Sequence, residues 1–333
     1  IVGGILQLIV QIPSLKKVGF HFKPNFHWND SDIFSILILT IPGIIAASAV
    51  QVNVLISSGF ASYIGTESVT WLNSAFRIMQ LPIGVFGVAV ATITLPVISR
   101  IAVTNDSSQF GITLGHAMRF VVFLTLPAAV GFWFFARPII SLIYEHGKFD
   151  AYDSLQTASA LQYYALGLVA YSCIKVLSPG FYAINKKWTP MSVSFASIGS
   201  NIILTYYLVS VVKMGHKGLA LSTAVSAIFN FLILYGLMSR LYALQTKKFF
   251  NAFIRCGIAA TALGIFCWLV TSFFSNYIYD ISLIFRVFFL LIAILLASSI
   301  YLSCCLLLNV EDAFSITNVL VQKIKPKRLV VDS

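Results

Sequence analysis

"SAFRIMQLPIGVFGVAVATITLPVIS", residues 74–99, holds one charged residue, Arg77, in 26 positions. A stretch this apolar exceeds the roughly 20 residues a helix needs to cross a hydrocarbon core of about 30 Å, so it reads as a transmembrane helix. Its polar residues fall on one side. With Thr70 set at zero and about 100° per residue, Glu67 lies near +60°, Ser74 near +40°, Arg77 near −20°, Asn73 near −60° and Gln80 near −80°. An arginine near mid-helix costs about 2.5–3.5 kcal/mol on insertion scales, so this stripe should face water or a partner inside a bundle. The guanidinium presents a planar fork of donors matched to phosphate or carboxylate and keeps its charge at any working pH. A purely structural pairing with Glu67 is disfavoured, because ten residues separate the two, about 15 Å along a helix. Pro82, Gly84 and Gly87 follow at once and predict a bend, a candidate hinge, since proline removes an intrahelical bond and glycine lets a neighbour approach.

The pattern repeats outward from this helix. The 333-residue chain is 59% hydrophobic and only 10% charged, with a mean hydropathy of +0.90, against roughly 25% charge in a soluble domain. Eight full spans are expected, near 33–58, 69–99, 112–136, 155–178, 188–212, 216–242, 251–275 and 281–308. The apolar run 1–12 is too short to cross and reads as the end of a preceding helix, in a fragment lacking its N-terminal part. The fold class is therefore an all-α polytopic membrane protein. Short connections make consecutive helices antiparallel neighbours. The first six spans carry Asn, Gln, Ser, Thr and Gly in their interiors, whereas the stretch 251–308 is almost purely apolar apart from Arg255 and Arg286. This divides the chain into a helix end and interfacial linker (1–32), a six-helix bundle (33–242), two peripheral helices (243–308) and a basic tail (309–333).

The net charge of +11 is a topology signal and does not point to nucleic acid. With eight spans, one set of loops holds twelve Lys/Arg, including Lys16, Lys17, Lys186, Lys187, Lys247, Lys248 and four in the tail. The opposite set holds four: Arg137, Lys148, Lys213 and Lys217. By the positive-inside rule the first set and the C-terminus are cytoplasmic, with some attraction to anionic headgroups. The outward loop 137–154 mixes aromatic and charged residues in the manner of an interfacial helix. The five cysteines show no CxxC spacing, so neither a disulfide framework nor a zinc site is indicated.

Other polar rows are less specific. Gln51 and Asn53 lie in the first span, Ser197, Asn201 and Thr205 recur every fourth residue in the fifth, and Ser222, Ser226 and Asn230 do so in the sixth. Such rows are usually interhelical hydrogen-bonding sites; the alternative is a cation site or a polar cavity wall. Lys175 reads as a snorkelling lysine near a span end. The histidines fall in or near loops and helix ends, no carboxylate pair sits within the spans, and HExxH, GxSxG, P-loop and GxGxxG motifs are missing. "YEHGKFDAYD", residues 144–153, is the nearest approach to an acidic surface site.

The stretch 74–99 resembles the signature of the MurJ (MviN) family, the lipid II flippases of the multidrug/oligosaccharidyl-lipid/polysaccharide exporter superfamily. "IKVLSPGFYAINKKWTP" (174–190) is similar to that family's KVLAPGFYA…TP segment, and "GGILQLIVQIPSLKKVGF" (3–20) and "LIYEHGKFDAYD" (142–153) also fit its patterns. The resemblance runs from residue 1 to at least 250. It implies the second lobe of a two-lobe transporter of fourteen helices, preceded by a first lobe, with the last two helices lining a lipid-tail groove. It also implies that Arg77 lies in a central cationic cavity and is required for function. The family's functional serine falls on Thr70, and a glutamate present in some members is Gln80 here, which removes a charge. Some members bind sodium with acidic side chains; the matching helices here offer Asn53, Asn201 and Thr223 without Asp or Glu.

The expected function is thus movement of lipid II between leaflets by alternating access, at a cavity made by Arg77, Thr70, Gln80, Asn73 and Ser74. No cofactor or catalytic residue is expected, and Na⁺, H⁺ or the membrane potential would supply the coupling. The expected partners are lipid II, membrane lipids and cell-wall synthesis or division proteins, in the bacterial inner membrane. Competing readings are a cation-coupled drug or polysaccharide exporter, which would want an acidic cavity, a membrane glycosyltransferase, which would want a carboxylate or metal motif, and a non-transporting scaffold, which would tolerate loss of Arg77.

Overall fold

The structure is a computed structural model that describes residues 9–13, 15, 17, 19, 54–104, 106–278 and 283–324, with backbone alone at 274–278, 283 and 318–324. The chain forms two compact units, residues 1–44 and 45–333. In the first, the described residues 9–13, 15 and 17 are helical. The second contains α1 (Val54–Ile64), α2 (Thr66–Pro82), a π-helical turn (Ile83–Val88) and α3 (Ala89–Val103). There follow α4 (Ser107–Tyr144), α5 (Ala151–Ala165), α6 (Leu168–Ala183), α7 (Trp188–Tyr206) with a second π turn (Tyr207–Val211), and α8 (His216–Leu241). The last elements are α9 (Thr246–Ile278), α10 (Leu283–Leu307) and α11 (Glu311–Ile324). No strand occurs among the described residues.

Among the described residues six segments are long and apolar enough to cross a membrane, and α5 with α6 makes a seventh, bent by 49°. Seven of the eight expected spans are thereby found. The first, 33–58, is described only from Val54, as α1. The protein is a multi-span membrane protein, and its exposed side chains fit that solvent. Phe285, Phe288, Ile292 and Leu295 on α10 are each more than half exposed, a continuous apolar face that a water-soluble monomer would rarely present.

Two expectations are corrected. The outward loop 137–154 does not form a separate interfacial helix: α4 runs through Pro138 to Tyr144, and α5 starts at Ala151. At 38 residues α4 is about 57 Å long, well beyond the hydrocarbon thickness, so the aromatic and charged residues read as interfacial are its projecting end. The fourth span is also not one straight helix. It breaks at Leu166 and Gly167, where a Cβ on Gly167 would sit 2.8 Å from the Cα of Ala224. Only a residue without a side chain lets this elbow rest on α8.

Among the described residues, three buried clusters hold the unit together. One joins α3, α4, α6 and α8 through Ile98, Leu114, Met118, Leu177, Phe181 and Met238. A second joins α2, α4, α5 and α8 through Leu72, Met79, Ile140, Leu161 and Leu219. The third fixes α9, α10 and the start of α11 to α4 through Phe123, Phe135, Leu263, Tyr301 and Ala313, and the Tyr301 hydroxyl donates to the Phe123 carbonyl at 2.9 Å.

Candidate functional site

α2 and α3 form one apolar element, Thr66–Val103. Pro82 has no N–H to offer the carbonyl one turn before it, and the six residues after it adopt π geometry, which widens the turn at that point. Gly87 lies against α6, where an added Cβ would come within 3.2 Å of the Ser172 Cα. Gly84 differs: an added Cβ there would meet nothing within 4 Å, so the close approach expected of both glycines occurs only at Gly87.

The face of α2 divides as its periodicity predicts. Leu72, Ala75, Ile78 and Met79 are buried in the core, whereas Thr70, Asn73, Arg77 and Gln80 are exposed and Ser74 is half-buried. Among the described residues no carboxylate lies within ion-pair distance of Arg77, which disposes of the Glu67 pairing. Asn73 and Gln80 line a cavity of about 240 Å³ between α1, α2, α6, α7 and α8, together with Lys175, Ser197, Asn201, Thr223, Ser226 and Asn230. Thr70, Ser74 and Arg77 are not part of its wall; they belong to the open face beside it. Lys175, expected only to snorkel, contributes a cation to this cavity, and no described Asp or Glu lines it.

The polar rows of α7 and α8 meet on its floor. Asn201 Oδ1 accepts from Thr205 Oγ1 at 2.9 Å and from Ser222 Oγ at 3.2 Å, with the two hydroxyls 2.7 Å apart. Ser197 Oγ donates across to the Ser226 carbonyl at 2.9 Å. The bonds of Ser222 to Asn201 and Thr205 and of Ser197 to Ser226 are the interhelical ones that the spacing predicts, worth about 0.6 kcal/mol each, while Thr205 to Asn201 stays within α7. Thr223 instead donates to Leu219 of its own helix, at 2.8 Å. Of the three candidate cation ligands, Asn201 and Thr223 both line the cavity, and Asn53 lies outside the described residues. No cluster of three His, Cys, Asp or Glu suited to a metal occurs among the described residues.

The acidic stretch 144–153 has a structural job. Asp150 and Asp153 form a reciprocal capping box at the start of α5, and Asp153 Oδ1 also accepts from the Trp71 indole at 2.8 Å, tying α5 to α2. His216 packs edge-on against Trp71 and lies 3.2 Å from Ser159 Oγ.

One polar group was not legible in sequence. His116 lies ten residues into α4, not in a loop or at a helix end, and its Nε2 stands 3.4 Å from Asp312 Oδ1 on α11. Beside them Arg119 is only 6% exposed, and its Nη1 has no hydrogen-bond partner among the described residues. Burial raises the Asp312 carboxyl above its ordinary range, against the opposing pull of the neighbouring His116 ring and Arg119 guanidinium. The available signals were an Arg three residues after a His within a glycine-spaced apolar helix, and the acidic pair Glu311–Asp312 opening a segment of helical periodicity.

The comparisons with known proteins now bear on this geometry. The family described as "Lipid II flippase MurJ" matches residues 1–289. A relative from Vibrio cholerae, "Probable lipid II flippase MurJ", is 35% identical over 233 residues, covering 70% of this chain and 44% of the relative. One from Burkholderia cenocepacia, "Lipid II flippase MurJ", is 34% identical over 279 residues, covering 82% of this chain and 54% of the relative. The chain thus spans about half the length of these curated relatives. A solved structure, "Lipid II flippase MurJ, inward closed conformation", is 27% identical with a TM-score of 0.64, over 90% of this chain and 60% of that one. An outward-facing multidrug transporter of the MATE family, 16% identical with a TM-score of 0.52 over 87% of this chain and 68% of that one, shares the fold. From its sequence and its helical architecture together, the chain belongs to the MurJ family.

Proposed function

We propose that this chain is one lobe of a lipid II flippase of the bacterial inner membrane, with its C-terminus in the cytoplasm. Lipid II carries a pyrophosphate, a disaccharide and a peptide on a polyprenyl tail, and the costly step is taking that headgroup through the hydrocarbon core. A water-filled cationic surface lowers the cost by replacing hydration with charge-assisted hydrogen bonds. The observation that carries the reading is Arg77: it lies in a membrane-spanning helix of a MurJ-family chain, exposed and without a described carboxylate partner. Its guanidinium takes the pyrophosphate, Thr70, Asn73 and Ser74 add hydrogen-bonding groups along the same face, and Gln80 joins that face to the adjacent cavity. The π turn after Pro82, with Gly84 and Gly87, is the hinge about which α3 changes direction as the lobe rocks between inward-open and outward-open states. No covalent chemistry is needed, so the protein is a transporter and not an enzyme.

For coupling, the cavity supports membrane potential better than a bound cation. Hard cations are held most strongly by carboxylates, and among the described residues this cavity offers only neutral amide and hydroxyl oxygens beside the Lys175 ammonium. Each charge moved across the membrane is worth about 2.3 kcal/mol per 100 mV, enough to help reset the transporter. The loop-charge asymmetry supports a cytoplasmic C-terminus, and partners in cell-wall synthesis or division follow from the substrate.

The test is complementation by the intact protein in cells depleted of their own flippase, with lipid II measured on the outer leaflet. The wild type restores exposure and Arg77→Ala does not. No exposure with the wild type overturns the flippase assignment; normal exposure with Arg77→Ala overturns the role of Arg77.

A further inference from the structure

We infer that the cleft between α4, the start of α9 and the α10–α11 junction binds the phosphate of an anionic phospholipid headgroup. The cleft holds about 70 Å³ and is walled by Arg119, Lys248, Asn251, Arg255, Glu311 and Asp312, among others. This is somewhat more than twice a water molecule's share of liquid volume, about 30 Å³, room for a small oxyanion. Its deepest cation is Arg119, whose Nη1 is buried without a hydrogen-bond partner among the described residues. A buried guanidinium is costly unless its charge is compensated, and an anion in the cleft compensates it. Arg255 is fixed by donating from Nη1 to the Asn309 carbonyl at 2.8 Å, and Asn309 holds that carbonyl in place with a left-handed backbone, φ 53°, just after α10.

The charge balance selects the ligand. Three cations face two carboxylates, a net single positive charge that one phosphodiester neutralises. The setting selects the source. The cleft lies where one membrane-spanning helix begins and another ends, the level at which headgroups sit. On the next face of α9, Ile254 and Ile258 are exposed, at 56% and 54%, as a surface for the attached acyl chains. A lipid bound here bridges α4, α9 and the α11 junction, adding to the buried Val310, Asp312 and Ala313 that anchor the start of that helix.

The test uses purified protein delipidated in neutral detergent, then given phosphatidylglycerol, phosphatidylcholine or millimolar inorganic phosphate, with bound lipid counted by native mass spectrometry and apparent melting temperature measured in parallel. Phosphatidylglycerol is expected to be retained and to raise the melting temperature, while phosphatidylcholine and inorganic phosphate do neither. Because Arg119→Gln touches the core, the decisive variant is the surface pair Lys248→Gln/Arg255→Gln, expected to lower phosphatidylglycerol retention about tenfold while keeping its helical circular dichroism. Equal retention of the two lipids, unchanged retention in the double variant, or equal protection by inorganic phosphate overturns the proposal. The readout is lipid retention, so the outcome does not depend on whether the protein flips lipid II.

Discussion

Arg77 on α2 and Arg119 on α4 are two arginines in membrane-spanning helices of one molecule, and their surroundings are opposite. Arg77 stands on an exposed polar face with no described carboxylate near it. Arg119 is buried under the α10–α11 junction, in a cleft it shares with Asp312. An arginine in a membrane helix needs a reason, and here the two reasons differ. The first charge is left open for something that comes and goes; the second is enclosed by the fold and part of its closure.

The contrast can be broken by removing one element at a time. The largest expected effect is at the closed site. Asp312→Ala leaves the Arg119 charge buried with less compensation and should cost about 3 kcal/mol of stability, seen as a lower apparent melting temperature of the purified protein. Next is the open site. Arg77→Ala should leave that melting temperature unchanged and lower the rate of lipid II exposure about 30-fold, the equivalent of about 2 kcal/mol for a lost charge-assisted bond; Arg77→Lys should fall between, keeping charge without the fork. A smaller effect is expected at the cavity floor. Asn201→Ala removes the acceptor shared by Thr205 and Ser222 and should cost about 1 kcal/mol in thermal stability. The smallest is Gln80→Glu, which places a carboxylate three residues from Arg77. An exposed helical pair of that spacing is worth about 0.5 kcal/mol, so a roughly twofold slower exposure of lipid II is expected.

The same contrast explains how much was legible in sequence. The α2 face was legible because its polar residues repeat at helical spacing within a long apolar run, so burial and exposure follow from periodicity alone. The apolar spans were legible for the same reason, and their helical state follows because backbone groups in lipid must be satisfied internally. Three features were not. The elbow at Gly167 depends on the position of Ala224, 57 residues away in sequence and on another helix. The extension of α4 through Pro138 was hidden by the charged and aromatic residues beyond the hydrocarbon, which resemble a loop in composition. The Arg119 cleft joins residues near 119, 250 and 311, and no local pattern links segments that only tertiary packing brings together.

The most direct test of the central claim is the affinity of purified wild type and Arg77→Gln protein for lipid II, measured by native mass spectrometry in the same detergent, with melting temperature as the control. At least a tenfold loss of affinity with an unchanged melting temperature is predicted. Equal affinity in the two proteins would contradict the assignment of Arg77 as the residue that takes the pyrophosphate.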